Sequence, residues 1–269
     1  MPQHPVLTDE LLAAALGPEP RPDLQARAPR FFHSDRLERL VRAHPASPYV
    51  LYLPLIAACS WRAARTLELP ALLGLLLAGW LLWTLVEYWL HRAFFHLSPD
   101  SPARRVTSFI VHRHHHVAPQ DRDHLVATPL YSGGLFLLLL ALTSLAGADA
   151  RWALLAGSML GYLAYEAAHW RAHHARPRAG LGRALRRHHL RHHFGDPGRN
   201  FGISSPLWDM VFRTCRISPV PEDSTSLAPG AERGGPARRG PEPQNRSASD
   251  SPSGPAPGAP GRRLSPGRG

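Results

Sequence analysis

Four apolar blocks stand between two polar ends. Leu69–Leu90 (LPALLGLLLAGWLLWTLVEYWL) is 22 residues long and holds one charge, Glu87. As a helix rising about 1.5 Å per residue it is about 33 Å long, enough to cross a bilayer core of about 30 Å. Pro129–Ala148 has 20 residues and no charge. Trp152–Trp170 follows after only Asp149–Arg151, so the spacing predicts a tight antiparallel helical hairpin. Tyr49–Trp61 is shorter; with Arg62 and Arg65 snorkelling it reads as a fourth span or a re-entrant helix. Such blocks also suit the buried helices of a soluble all-α protein, but three of this length favour the bilayer. The pattern predicts an all-α integral membrane protein with three to four transmembrane helices.

The polar ends differ in kind. Residues 1–48 are broken by eight prolines and hold one short helical candidate, Thr8–Leu16. No charged stretch followed by an apolar run opens the chain, so no cleaved signal peptide is expected. Residues 217–269 hold 11 Pro and 9 Gly among 53, above the roughly 25–30% at which a non-periodic stretch reads as disordered. The expected organisation is a polar cytoplasmic N-terminal segment (1–48), a transmembrane domain (49–216) and a disordered tail (217–269). The mean hydropathy of −0.21 averages a membrane core with these ends.

Charge adds sidedness. The chain has a formal charge of +11, and every one of its 31 cations is arginine. Arg92, Arg104, Arg105, Arg113 and Arg122 fall in 91–128, ten more arginines fall in 171–216, and the hairpin loop has only Arg151. The positive-inside rule places 91–128 and everything after 170 in the cytoplasm. The arginines follow membrane boundaries and the tail, and no aromatic–basic module accompanies them, so no nucleic-acid partner is implied. Two cysteines, Cys59 and Cys215, exclude a disulfide framework and a thiolate zinc finger.

Histidine carries the chemistry. Of 17 histidines, 14 lie between His91 and His193, and all but His124 of these fall in the runs HRAFFH, HRHHH, HWRAHH and HHLRHH. His112, His115 and His116 stand at i, i+3, i+4 and share a helical face; His189, His192 and His193 repeat the spacing, and His169 and His173 stand at i, i+4. His91 and His96 are five apart, which requires the helix to end or bend between them, or two different metals. Neutral imidazoles paired on a helical face supply half a coordination shell without ordering a loop. Ten of them suffice for two metal ions with five each, all on the cytoplasmic side, as a histidine-rich helical cap. Glu166 and Asp121 are candidates to orient ring N–H groups. His114 and His188 fall off the shared faces, His124 and His174 are ambiguous, and His4, His33 and His44 read as ordinary polar positions. A membrane metal transporter or sensor is the alternative of another class, but it would place ligands inside the spans rather than at their exits.

These motifs resemble the membrane-bound fatty acid hydroxylases, within the superfamily that includes sterol desaturases and carotenoid hydroxylases. The likeness covers about 69–215. It rests on HRAFFH; on His112, His115, His116, Pro119 and Asp121; on Tyr165, Glu166, His169, His173 and His174; and on His189, His192 and His193. The run Pro119–Val126 and the run NFGISSPLWD (Asn200–Asp209) look more like fatty acid 2-hydroxylases. Arg113, His124 and Glu166 depart from that subfamily, where glycine, arginine and aspartate are usual. The resemblance implies a non-haem di-iron oxygenase that hydroxylates a C–H bond of a lipid acyl chain, with a sterol or carotenoid oxygenase as alternative. It implies iron on His91, His96, His112, His115, His116, His169, His173, His189, His192 and His193, the di-metal centre itself being the catalytic group. Zinc outcompetes ferrous iron for imidazole under equilibrium loading, so purified protein can carry zinc. No cytochrome b5 module precedes the match, so a separate cytochrome b5- or ferredoxin-like donor is expected. Tyr165, Arg187 and Arg191, with Arg186, are candidates to meet a polar lipid head.

Overall fold

The computed structural model describes residues 4–18 and 22–217. Helices dominate: α1 (Asp9–Leu16), α2 (Asp35–Leu40), α3 (Ser47–Ala64), α4 (Leu69–Trp89), α5 (Pro102–Ser108), α6 (His114–Val117), α7 (Pro129–Ser144), α8 (Ala150–His174), α9 (Gly180–Phe194) and α10 (Leu207–Val211). Two π-helical turns, Leu90–Phe95 and Phe109–Arg113, continue α4 and join α5 to α6. Among the described residues there is no β-strand, only an isolated bridge between Leu7 and Phe32. The expected tail, 217–269, lies outside the described residues from position 218 on.

Local chemistry sets the helix starts. Pro48, Pro70, Pro102 and Pro129 stand in first turns, where a missing N–H removes no helical bond and φ is already suitable. Thr8, Ser101 and Thr128 cap α1, α5 and α7 through their side-chain oxygens. The helical candidate Thr8–Leu16 is therefore α1 with its cap.

The hairpin forms as the short loop requires, with Gly147 at φ +87° in the turn between α7 and α8. Helix α8 is central and packs against α3, α4 and α7. Tyr52, Ile56, Trp83, Leu139, Leu155, Met159 and Tyr162 form the core between them. The α4–α8 contact is backbone to backbone: a Cβ on Gly79 would stand 2.1 Å from the Leu154 carbonyl oxygen, and one on Gly157 2.0 Å from that of Leu76. Ser158 Oγ donates to the Gly79 carbonyl at 3.0 Å across the same seam. Small residues at such a crossing let two helices touch along their backbones.

One described helix, the 27-residue Leu69–Phe95, is long and apolar enough to cross a membrane, with mean hydropathy 2.1 over its 18-residue apolar stretch. Helix α7 is apolar but only 16 residues long. Helix α8 has 25 residues, yet it is central and carries Ser158, Tyr162, Glu166 and His169, so its polar atoms face protein. A second core lies at the histidine end, where Leu11, Ala15 and Phe31 pack on Phe109. Backbone bonds from Asp23 N to Val117 O (2.8 Å) and from Ala43 N to Asp123 O (3.0 Å) fasten the first 48 residues across the segment that carries HRHHH.

Candidate metal centre

Four elements bring the ten imidazoles together: the end of α4 with its π turn, the α5–α6 helix, the last turns of α8, and α9. The rings fall into two groups of five. His91, His96, His112, His116 and His192 form one; His115, His169, His173, His189 and His193 form the other. Within each group the facing nitrogens all lie within 4.8 Å of one another.

The π turn at the end of α4 explains one feature that spacing alone does not resolve. In Leu90–Phe95 the His96 N–H bonds the His91 carbonyl at 3.3 Å, an i→i+5 bond. This widened turn stacks residues five apart, so His91 and His96 reach one group without a helix break and without serving different groups. Each HxxHH run is then divided. His112 and His116 go to the first group and His115 to the second, while His189 and His193 go to the second and His192 to the first. The shared face supplies both groups at once and ties them together.

The geometry is that of nitrogens converging on a cation. His91 Nε2 is 3.1 Å from His112 Nε2, and His96 Nε2 is 3.0 Å from His192 Nε2. His192 and His116 are 3.2 Å apart, His116 and His112 3.0 Å, His169 and His115 2.9 Å, and His173 and His189 2.8 Å. Nitrogens about 2.0–2.1 Å from a common ion stand about 3 Å apart at right angles. The opposite ring edges fix the tautomers: His91 Nδ1 faces the Phe201 carbonyl and His192 Nδ1 the Arg199 carbonyl at 2.8 Å. Those protons leave the Nε2 lone pairs inward, where they repel one another unless a cation lies between. His193 Nε2 is buried with no hydrogen-bond partner. The donor set therefore fits two metal ions.

Electrostatics agree. Burial, reinforced by neighbouring imidazoles, holds His112, His115, His116, His173, His189, His192 and His193 well below the usual range, and burial holds His96 down to about 4. Neutral rings keep lone pairs available for metal.

The other histidines have separate partners. His114 Nδ1 meets the Phe109 carbonyl at 2.8 Å, and His174 packs on the Trp170 ring. His188 pairs with Asp209 at 2.9 Å. Asp121, expected beside the ligand imidazoles, turns instead to His124 Nδ1 (3.0 Å) and to the Ala28 and Asp123 N–H groups. Glu166 accepts from the Ala127 N–H at 3.1 Å. Neither carboxylate bonds any of the ten rings among the described residues. Arg187 is exposed, Arg191 half-buried and Arg186 buried on α9.

Two acids beyond the motif residues support the site. Glu87 accepts from the Ile203 and Ser204 N–H groups at 2.6 and 2.8 Å, and from the Ser204 hydroxyl. Asp209 accepts from Phe201 N, Gly202 N and Thr214 Oγ1 at 2.9, 2.7 and 2.7 Å. Together they shape the loop whose Phe201 and Arg199 carbonyls orient His91 and His192. The signal for Glu87 was present: a lone acid in a leucine-rich block needs a polar partner.

Two openings reach the rings. A mainly apolar cleft of about 230 Å³ meets both groups at His112, His115 and His169, with Ile110, Val126, Leu130 and Tyr165 in its walls. A wider cavity of about 520 Å³ meets them from elsewhere at His96, His116 and His193, beside Arg105, Arg113 and Ser108.

A sequence profile of the fatty acid hydroxylase family matches residues 76–214. A dihydroceramide fatty acyl 2-hydroxylase of Arabidopsis thaliana is 33% identical over 203 residues, covering 75% of this chain and 86% of that protein. The fatty acid 2-hydroxylase of Rattus norvegicus is 33% identical over 227 residues, and the match spans 74% of this chain and 59% of the rat enzyme. The solved hydroxylase domain of full-length scs7p superposes with TM-score 0.63 at 30% identity, covering 69% of this chain and 72% of that one. The matched span includes every element that carries the ten imidazoles, and the chain belongs to the fatty acid hydroxylase family.

Proposed function

We propose that this protein is a membrane-bound hydroxylase of lipid acyl chains, using a centre of two iron ions held by the ten clustered histidines. The observation that carries the reading is the pair of five-imidazole groups opening onto one apolar cleft. Bound iron supplies the O₂-dependent oxidation of an unactivated C–H bond, which side chains cannot perform. The chain's own residues do the rest. The imidazoles fix the site, the Phe201 and Arg199 carbonyls keep two of the rings turned inward, and the cleft aligns an alkyl chain while excluding water. The Arabidopsis relative is named for the 2-position of a dihydroceramide fatty acyl group; the same class of substrate suits this cleft.

The membrane arrangement belongs to the same proposal. Exposed leucines on α3, α4 and α7 (Leu53, Leu73, Leu77, Leu130, Leu137) suit lipid contact, so that with α8 among them the chain makes three to four spans. The arginine bias puts the histidine cap and both termini in the cytoplasm. A separate one-electron donor approaches from that side, where the wider cavity lies beside Arg105 and Arg113. Residues 49–216 are the catalytic domain, with 1–48 and 217–269 as flanking segments.

Expression in a host whose lipids carry no hydroxy-acyl chains tests the function. Wild type should add hydroxylated acyl lipids, and the variant carrying both His115→Ala and His192→Ala, one change in each group, should add none. Absence of product from iron-loaded wild type supplied with a donor would sink the reading.

A further inference from the structure

Apart from His169 Nδ1 on a metal-group ring, two polar atoms of side chains that line the cleft are left without partners by the protein. His124 is buried in its wall, with Nδ1 on Asp121 and with Nε2 buried and unbonded. Tyr131, in the first turn of α7, lines the same cleft, and its Oη is also buried and unbonded. More than about nine buried polar groups in ten find a hydrogen bond. Two orphans in the wall of this mainly apolar cleft mark a place built to receive a polar group from outside the chain. Neither residue belongs to the metal groups.

Resting on the acyl-hydroxylase reading, we propose that His124 Nε2 and Tyr131 Oη hold the carbonyl end of the acyl substrate. The Tyr131 O–H is a donor suited to a carbonyl oxygen. Asp121 accepts a hydrogen bond from the His124 Nδ1–H, and the Ala28 and Asp123 N–H groups hold that carboxylate in place. With Nδ1–H so directed, the His124 Nε2 lone pair accepts from an N–H or O–H beside that carbonyl. His112, His115 and His169 line this cleft too, so a carbonyl anchored here brings the adjacent carbons to the metal groups. Phe95, Ala127, Tyr131 and Tyr165 also border a small pocket of about 20 Å³ between α4, α7 and α8, next to Trp83 and Leu135. The anchor thus selects which carbon is hydroxylated.

The test is the position of the new hydroxyl, read by mass spectrometry of host lipids from cells expressing the full chain. His124→Asn keeps an N–H for Asp121 at the Nδ1 position and removes Nε2; Tyr131→Phe removes only the hydroxyl. Both should accumulate with wild-type metal content, lose about tenfold or more of the 2-hydroxy product, and spread the remaining hydroxyl to other carbons. Wild-type yield and position in both variants would overturn the proposal. If His124→Asn fails to accumulate, Tyr131→Phe decides alone, and an unchanged product there overturns it. A wild type that makes no hydroxylated lipid fails the hydroxylase reading itself, and this anchor with it.

Discussion

His188 and His189 are adjacent on α9, and both are buried. His189 faces His173 at 2.8 Å inside the second metal group, whereas His188 turns away to Asp209. Replacing them should separate structure from metal binding. His188→Ala removes a charge-assisted bond from a carboxylate that keeps three other donors, so it should lower stability by about 1–3 kcal/mol and leave the metal content intact. His189→Ala should lose metal from its group. Denaturant unfolding and metal analysis of the two variants check this, and metal loss in His188→Ala would contradict it. At this scale eight of the ten inward rings were legible from spacing, because i, i+3 and i+4 positions must share a helical face; His91 and His96, five apart, were not. Asp121 was not legible. Sequence proximity put it beside His112–His116, but its carboxylate follows the Ala28 N–H and His124 to the other side of that segment.

The element that matters most is the π turn at the end of α4. Its i→i+5 bond places His96 over His91, and hydropathy cannot detect it, since one extra residue in a turn leaves the apolar pattern almost unchanged. Deleting Ala93 should return Leu90–Phe95 to α-helical register and rotate His96 by about 100°. The first group then loses one ligand while the second keeps all five, so the expected outcome is loss of metal from one group only. A deletion variant that keeps full metal occupancy would show that the turn does not set the ligand geometry. Helices α3, α4, α7 and α8 were legible from their apolar blocks. The central place of α8 was not, because nothing in the apolar pattern marks Gly157 and Ser158 as contacts of Leu76 and Gly79.

Over the whole molecule, the buried imidazoles couple stability to pH. Free histidine titrates near about 6.5; burial holds His112, His115, His116, His189, His192 and His193 well below that, and His96 and His114 at about 4. Between those values the unfolded chain binds protons that the folded chain refuses. Their contribution is therefore full above about pH 6.5 and is lost as pH falls from there towards about 4. Protons and metal also compete for the same lone pairs. Thermal unfolding of metal-free protein in detergent should show Tm falling steeply below about pH 6.5, with bound metal moving that fall to lower pH. A Tm that stays flat from pH 7 to 5 would contradict the neutral-ring assignment.

The +11 charge and the histidine excess have different places in this account. The arginines mark one side of the proposed membrane arrangement, and ten of the histidines build a site. The central claim is that the site holds two ions, and metal stoichiometry tests it most directly. Wild-type protein should bind two ions per chain, His192→Ala should lose the ion of the first group, and His115→Ala should lose that of the second. A wild type that binds only one ion, or two single variants that each retain both, would contradict the account.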